Sequence, residues 1–286
     1  MPRSLAFHTA PVVVLVASFT LGCRDEGSGE VHVAGLVADP AAAVCGDVVP
    51  DHAPDAIGEF EHGYSIPARG NGLRQSPIDI RTRELADGEH DVTLHYEASG
   101  EHVRNMGHTV QVQWDAGSWV TFDGVRYEFV QLHFHTPSEH KVDGVTYPLE
   151  VHLVHVEADT AVEEPRYLVV GILFREGRDH PFLREVLDEA PGGHGEAVDH
   201  PEQRQDVSEL LGDGLAEYFH YTGSLTTPPY TESVQWLVAG RPYEAGPEQI
   251  QKLNRIEGNN ARHIQDPEGR VVERARLESR DRSGNE

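Results

Sequence analysis

YEFVQLHFHTPSEH at residues 127–140, with PLEVHLVH at 148–155 close behind, decides how the chain is read. In an extended strand successive side chains leave on opposite faces, so Gln131, His133 and His135 share one face while Leu132 and Phe134 take the other. The second run repeats the arrangement, with Glu150, His152 and Val154 on one face and Val151 and Leu153 on the other. Two neighbouring strands of this kind aim three imidazoles at one point. Three neutral imidazoles would leave a divalent ion its full charge and one open tetrahedral position, the ligand set of catalytic rather than structural zinc. His133, His135 and His152 are therefore the candidate metal ligands, and such a site would activate water. An isolated acid such as Glu150 in an apolar run is costly to bury without a hydrogen-bonding partner. Glu150 and Gln131 each lie two residues before a candidate ligand on the same strand face, the placement of an acceptor that orients an imidazole.

Working outward, apolar alternation marks further strands around residues 92–96, 109–114, 120–122, 167–174 and 234–238. Asp-Gly pairs at 123–124 and 143–144, each between apolar runs, signal tight hairpins. Antiparallel sheet should dominate. Pro181 and Pro247 each open a segment of helical spacing, and residues 205–219 read as a third surface helix. Between the first and third, APGGHGEAVDHPEQ at 190–203 reads as a loop rich in glycine, proline and acids.

The 286 residues carry a formal charge of −25, and Lys141 and Lys252 are the only lysines. Binding to nucleic acid or to an anionic bilayer through charge is disfavoured. Residues 1–23 combine Arg3 with the apolar run PVVVLVASFTLG, too short for a comfortable membrane span and typical of an export leader. Cys23 stands where bacterial lipoproteins carry their lipidated cysteine, although Thr20 and Leu21 depart from the usual small-residue pattern; the alternative is a leader cleaved elsewhere, with Cys23 and Cys45 free or paired. Residues 24–57 read as a flexible tether, 58–272 as the folded domain, and 273–286 as a charged, disordered tail. The expected location is outside the cytoplasm, either periplasmic or lipid-anchored at the cell envelope.

Six ordered motifs, QSPI at 75–78, NMGH at 105–108, QLHFHTPSEH at 131–140, EVHLVH at 150–155, GSLTTPP at 223–229 and NNAR at 259–262, resemble those of α-class carbonic anhydrases. The resemblance covers residues 58–270. It implies a single mixed α and β domain, β-dominated, with a central twisted, mostly antiparallel sheet and short peripheral helices. It also implies Zn2+ as cofactor and reversible hydration of carbon dioxide to bicarbonate by zinc-bound hydroxide. By this resemblance Thr226 and Glu139 orient the nucleophile, Thr227 assists the bound anion, and His108 shuttles the proton. Val154, Val169, Leu225 and Trp236 form the carbon dioxide wall, and the backbone around Asn260 serves His135. Anions and sulfonamides are the implied inhibitors.

The sequence departs from the family pattern in places. FEHGYS at 60–65 stands where a tryptophan-rich motif is expected, and Tyr230 where many secreted relatives carry a cysteine. Two rival readings stay open at this level. One is a non-catalytic protein that keeps the fold for surface binding, and the other is a cupin-like iron oxygenase that also uses a His-x-His strand pair.

Overall fold

β-Branched and aromatic residues concentrate in short runs, and strands follow from them. The computed structural model describes residues 71–158, 165–211 and 214–277. The first eight strands are β1 (Asp79–Ile80), β2 (Ala86–Asp87), β3 (Val92–His95), β4 (Ser99–Asn105), β5 (Val110–Gln113), β6 (Trp119–Phe122), β7 (Val125–His135) and β8 (Lys141–Val142). They are followed by β9 (Val145–Thr146), β10 (Leu149–Glu157), β11 (Tyr167–Glu176), β12 (Ala197–Gln205), β13 (Glu217–Gly223), β14 (Val234–Ala239), β15 (Tyr243–Ala245) and β16 (Glu273–Arg276). Helices α1 (Pro181–Glu189), α2 (Val207–Leu211) and α3 (Pro247–Glu257), with two 3-10 turns at Thr82–Glu84 and Gly214–Ala216, complete the described elements.

The large sheet runs β12-β4-β5-β7-β10-β11-β14-β13-β16-β2. Its pairs are antiparallel except β11 with β14 and β15, and β16 with β2. A three-stranded sheet of β1, β8 and β9 stands apart. Both Asp-Gly pairs form two-residue hairpins. Asp123 and Gly124 have φ of 49° and 80°, Asp143 and Gly144 51° and 80°, and in each case the flanking residues pair directly, Phe122 with Val125 and Val142 with Val145. Positive φ at both central residues matches the right-handed strand twist, which is why Asp-Gly serves there.

The sheet separates two buried layers. Leu132, Phe134, Val151, Leu153, Leu168, Val170 and Ile172 face one way and pack with α1 and α3 through Phe182, Leu183, Val186 and Leu253. Val154, Val169, Leu173, Val234, Trp236 and Val238 face the other way, with Ile78, Ile80 and Leu225. The period of two therefore places the imidazoles of β7 and β10 on the second face. A bulge interrupts the pairing of β7 with β10 between Val154 and His155, so that Val154 meets Gln131 and His155 meets Phe129.

Three expectations need correction. Residues 197–203, expected as part of a loop over 190–203, belong to β12, an edge strand on β4; its polar sequence with Pro201 suits an edge, where pairing comes from backbone and not from buried side chains. Residues 205–219 are not one helix, because only Val207–Leu211 is α-helical and Glu217 begins β13. Short aromatic runs such as EYFHY satisfy either period, and pairing with β14 decides. Glu273–Arg276 is not tail but β16, held between β13 and β2 with Ala275 alone turned into the core. The leader, the tether, the start of the folded domain at residue 58, FEHGYS at 60–65 and Cys45 lie outside the described residues.

His155 anchors the first layer chemically. Its Nδ1 donates to the Leu168 carbonyl at 3.1 Å and its Nε2 accepts from the Tyr96 hydroxyl at 3.0 Å. Burial pushes its pKa down to about 3, so the ring is neutral when folded. Because the unfolded chain binds this proton first, the stabilisation is complete above about pH 6.5 and is lost as pH falls towards 3. We predict that urea unfolding between pH 6 and 4 shows a loss of about 1.4 kcal/mol per pH unit from this group. The slope in His155→Gln should be smaller by that amount, and equal slopes would refute the assignment.

Candidate metal centre

His133 and His152 are direct partners across β7 and β10, and His135 lies opposite Glu150 in the same register. The three rings stand 5.0, 5.3 and 4.5 Å apart, centroid to centroid. One nitrogen from each lies within 4.8 Å of the others. All three are buried, at 5, 3 and 1 % exposure.

Their neighbours assign which nitrogen remains for a metal. His133 Nδ1 donates to Gln131 Oε1 at 3.0 Å, leaving Nε2. His152 Nε2 donates to Glu150 Oε1 at 2.9 Å, leaving Nδ1. Among the described residues neither ring nitrogen of His135 has a hydrogen-bond partner, although the Asn260 backbone favours its charged form. The Asn260 side chain ties the walls of the site together: its oxygen accepts from Thr136 N at 3.0 Å, and its amide donates to the carbonyls of His108 and Phe134 at 2.7 and 3.0 Å. Burial holds His133 and His135 well below the ordinary imidazole range, and the proximity of His152 adds to this. A buried ring with two unused nitrogens is a costly arrangement for a protein alone and a suitable one for a cation. The donor set fits zinc.

Glu150 organises the second half of the site. Its carboxylate accepts from His152, from His140 Nδ1 at 2.7 Å and from His140 N at 2.8 Å. Burial pushes its pKa up, but His140 and His152 outweigh that and hold it well below the carboxylate range. Gly171 pairs with His152 across β11, and a Cβ there would sit 3.0 Å from Glu150 Oε1. His140 Nε2 continues to the Tyr221 hydroxyl at 2.6 Å, which donates to Ser76 Oγ at 3.0 Å.

Glu139 lies on the open side of the imidazoles, its Oε2 3.6 Å from His135 Nε2 and 3.8 Å from His152 Nδ1. Burial pushes its pKa up to about 8 against hydrogen bonds from the Thr226 side chain and the Arg262 backbone N–H, the latter at 2.9 Å. His133, His152, Val154, Val169, Leu225, Thr226, Thr227 and Trp236 line one small cavity, so every pocket residue expected from the sequence meets two of the three imidazoles there. His108 stands apart, half-buried on the NMGH turn, with burial lowering its pKa.

Sequence reasoning missed the work of Ser76, Tyr221, Tyr230 and Arg262. The Arg262 guanidinium lies 3.9 Å over the Tyr230 ring and donates to the Ser76 carbonyl at 2.7 Å. Ser76 and Arg262 sit inside QSPI and NNAR, so the motifs contained the signal. Nothing in the one-dimensional pattern distinguished Tyr221 from its aromatic neighbours.

Three buried imidazoles beside a small cavity, two of them oriented by an amide and a carboxylate, form a site that could hold a metal ion. A sequence model of the eukaryotic-type carbonic anhydrase family matches residues 61–276, and the chain belongs to that family. A carbonic anhydrase of Nostoc sp. is 34 % identical over 225 residues, covering 77 % of this chain and 81 % of that protein. One from Pectobacterium atrosepticum is 34 % identical over 209 residues, covering 70 % and 80 %. The solved α-carbonic anhydrase of Thermovibrio ammonificans with the inhibitor sulfanilamide superposes with a TM-score of 0.68 at 34 % identity, covering 77 % of this chain and 94 % of that one.

Two substitutions test the geometry. His135→Ala should abolish stoichiometric zinc binding. Glu150→Gln should fold and weaken zinc binding about 10- to 100-fold. Competition against a chromophoric chelator measures both, and unchanged affinity in Glu150→Gln would remove its orienting role.

Proposed function

We propose that this chain catalyses the reversible hydration of carbon dioxide with zinc held by His133 Nε2, His135 and His152 Nδ1. The observation that carries the reading is the convergence of three buried imidazoles, with nitrogens left over, two of them lining a cavity whose other walls are Val154, Val169, Leu225, Trp236 and two threonines. When bound, zinc supplies a Lewis acid that lowers the pKa of a water to about 7, carbonic anhydrases themselves being the standard case.

The protein's own groups do the rest. Val154, Val169, Leu225 and Trp236 offer an uncharged substrate a dry surface and no competing hydrogen bond. A cation held by the three imidazoles would favour the ionised form of Glu139 despite its burial. As a carboxylate, Glu139 takes the Thr226 proton, so the Thr226 oxygen acts only as an acceptor and orients the attacking water. Thr227, on the same wall, steadies the anionic product. Gln131 and Glu150 hold two rings in the required tautomers. His108 accepts the released proton through intervening water, and its burial keeps it neutral and ready to accept near pH 7. Sulfonamides and small anions, which would compete for the open position, are the expected inhibitors.

Stopped-flow hydration with metal analysis tests the reading: zinc near one equivalent at the triad with sulfonamide-sensitive turnover supports it, whereas bound zinc without turnover overturns it. His108→Ala should keep zinc and lose rate about 10-fold or more in dilute buffer, as expected for removal of a general base. Concentrated imidazole should restore most of it, and failure of that rescue would displace His108 as the shuttle. Export with lipid attachment at Cys23 belongs to the same proposal, supported by the leader-like sequence. Mass spectrometry of the mature amino terminus should find an acylated Cys23, and an unmodified terminus at another residue would exclude the anchor.

A further inference from the structure

A second cluster of histidines lies on the opposite face of the sheet. On β13, Phe219 and Tyr221 turn towards the triad-side layer, while Tyr218 belongs to the other layer and His220 shares its side. His220 pairs directly with Glu273 on β16, and His90, from the segment between β2 and β3, meets it edge-on with ring centroids 4.5 Å apart.

The hydrogen bonds around these rings raise a question of proton accounting. His90 Nδ1 is 2.8 Å from Asp123 Oδ2 and its Nε2 is 3.2 Å from Glu273 Oε2. His220 Nε2 is 2.9 Å from Gln235 Oε1 and its Nδ1 is 2.8 Å from the same Glu273 oxygen. The Gln235 oxygen also accepts from the Thr222 hydroxyl at 3.4 Å, which keeps its acceptor end towards His220. A neutral imidazole has one N–H and can donate to only one of its two acceptors. Two adjacent imidazolium ions would satisfy every one of these contacts, and so would one dication held by two neutral rings. A dication carries the same charge as the two protons and relieves the repulsion between like-charged rings.

We propose that His90 Nε2, His220 Nδ1 and Glu273 Oε2 form a second binding site for a divalent cation of the zinc class. These three ligand atoms lie within 4.8 Å of one another. A tetrahedral ion with ligands about 2.0–2.1 Å away would space them about 3.3 Å apart, and the two contacts of Glu273 Oε2, at 2.8 and 3.2 Å, lie close to that spacing. Each ring already presents its outer nitrogen to an acceptor, Asp123 for His90 and Gln235 for His220, which is the supporting shell that metal-bound histidines use. Two imidazoles and one carboxylate leave a fourth position open to solvent. Asp87, Glu89 and Asp91 line the hollow beside it, with Arg274 and Arg276 the opposing charges. Gly88 makes room, since a Cβ there would meet Glu273 Cβ at 2.9 Å. The site is remote from the triad by sheet face, so its ion stabilises the closure of β16 and the β2–β3 segment rather than taking part in hydration.

The test begins with zinc-loaded protein whose triad occupancy is verified by sulfonamide-sensitive activity. Titration with Cu2+ should load one further equivalent while zinc is retained, with an electron paramagnetic resonance spectrum split by two imidazole nitrogens. Equilibrium dialysis against zinc should likewise reach two ions per chain. His90→Gln and Glu273→Gln should each weaken the second ion at least 10-fold and leave hydration within about twofold of the parent, consistent with loss of one ligand outside the active site. No second equivalent at 100 µM ion, or equal uptake by the parent and both variants, would overturn the proposal without touching the reading of the triad.

Discussion

A carboxylate cannot be buried in an apolar sheet unless donors surround it, and Glu150 is fully buried at the centre of this one. Three donors meet it: His152 Nε2, His140 Nδ1 and His140 N. That single requirement has wide consequences. It assigns the His152 tautomer and so frees Nδ1 for a cation. It draws the chain after β7 back across β10, which brings Glu139 beside the imidazoles. It also demands the missing side chain of Gly171 on the next strand. The buried charge thus buys geometry more than stability, since the same volume filled with apolar groups would fold at least as well.

The remaining polar groups are positioned by a similar logic, in which the sheet provides rigidity and the ends of strands provide reach. Asn260 joins the end of β7 to the NMGH turn, and Glu257 on α3 accepts from Val110 N at 3.1 Å at the start of β5. Arg262 links the Glu139 side to Ser76 and Tyr230. The floor of the site is therefore strand and its rim is loop, each loop pinned to a strand end by a buried side chain. Such a frame holds three rings in place before any ion arrives, which lowers the reorganisation that binding requires.

The two faces of the sheet carry different chemistry for one reason of period. Alternation along β7, β10 and β13 sends every second residue to each side, so a strand can contribute to an apolar core and to a polar site at once. His152 and His220 illustrate this, one facing the triad cavity and the other the far layer. The bulge opposite Val154 and His155 skips Val130 and resets the alternation of β7, so Phe129 joins the far layer, where His155 by its ordinary alternation meets Tyr96. The strongly acidic composition acts elsewhere, on solvent-facing positions that the core does not constrain.

Local sequence by itself determined the parts of this protein that depend on neighbours in the chain. The shared face of Gln131, His133 and His135, the Asp-Gly hairpins and the proline-led starts of α1 and α3 follow from dihedral preferences and periods of two or 3.6, which need no distant partner. The six motifs pointed to the family, and the cavity residues Val154, Val169, Leu225 and Trp236 with it. What depended on distant partners was invisible. β12 at the sheet edge and β16 beside the two-residue β2 gain their order from backbone pairing rather than from buried side chains, so residues 197–203 read as loop and 273–276 as tail. The Tyr221, His140 and Glu150 chain, and the meeting of His90, His220 and Glu273, join segments separated by as many as 183 positions. Only the tertiary structure could decide these, because hydrogen bonding and metal ligation act over a few ångströms of space and carry no period along the chain.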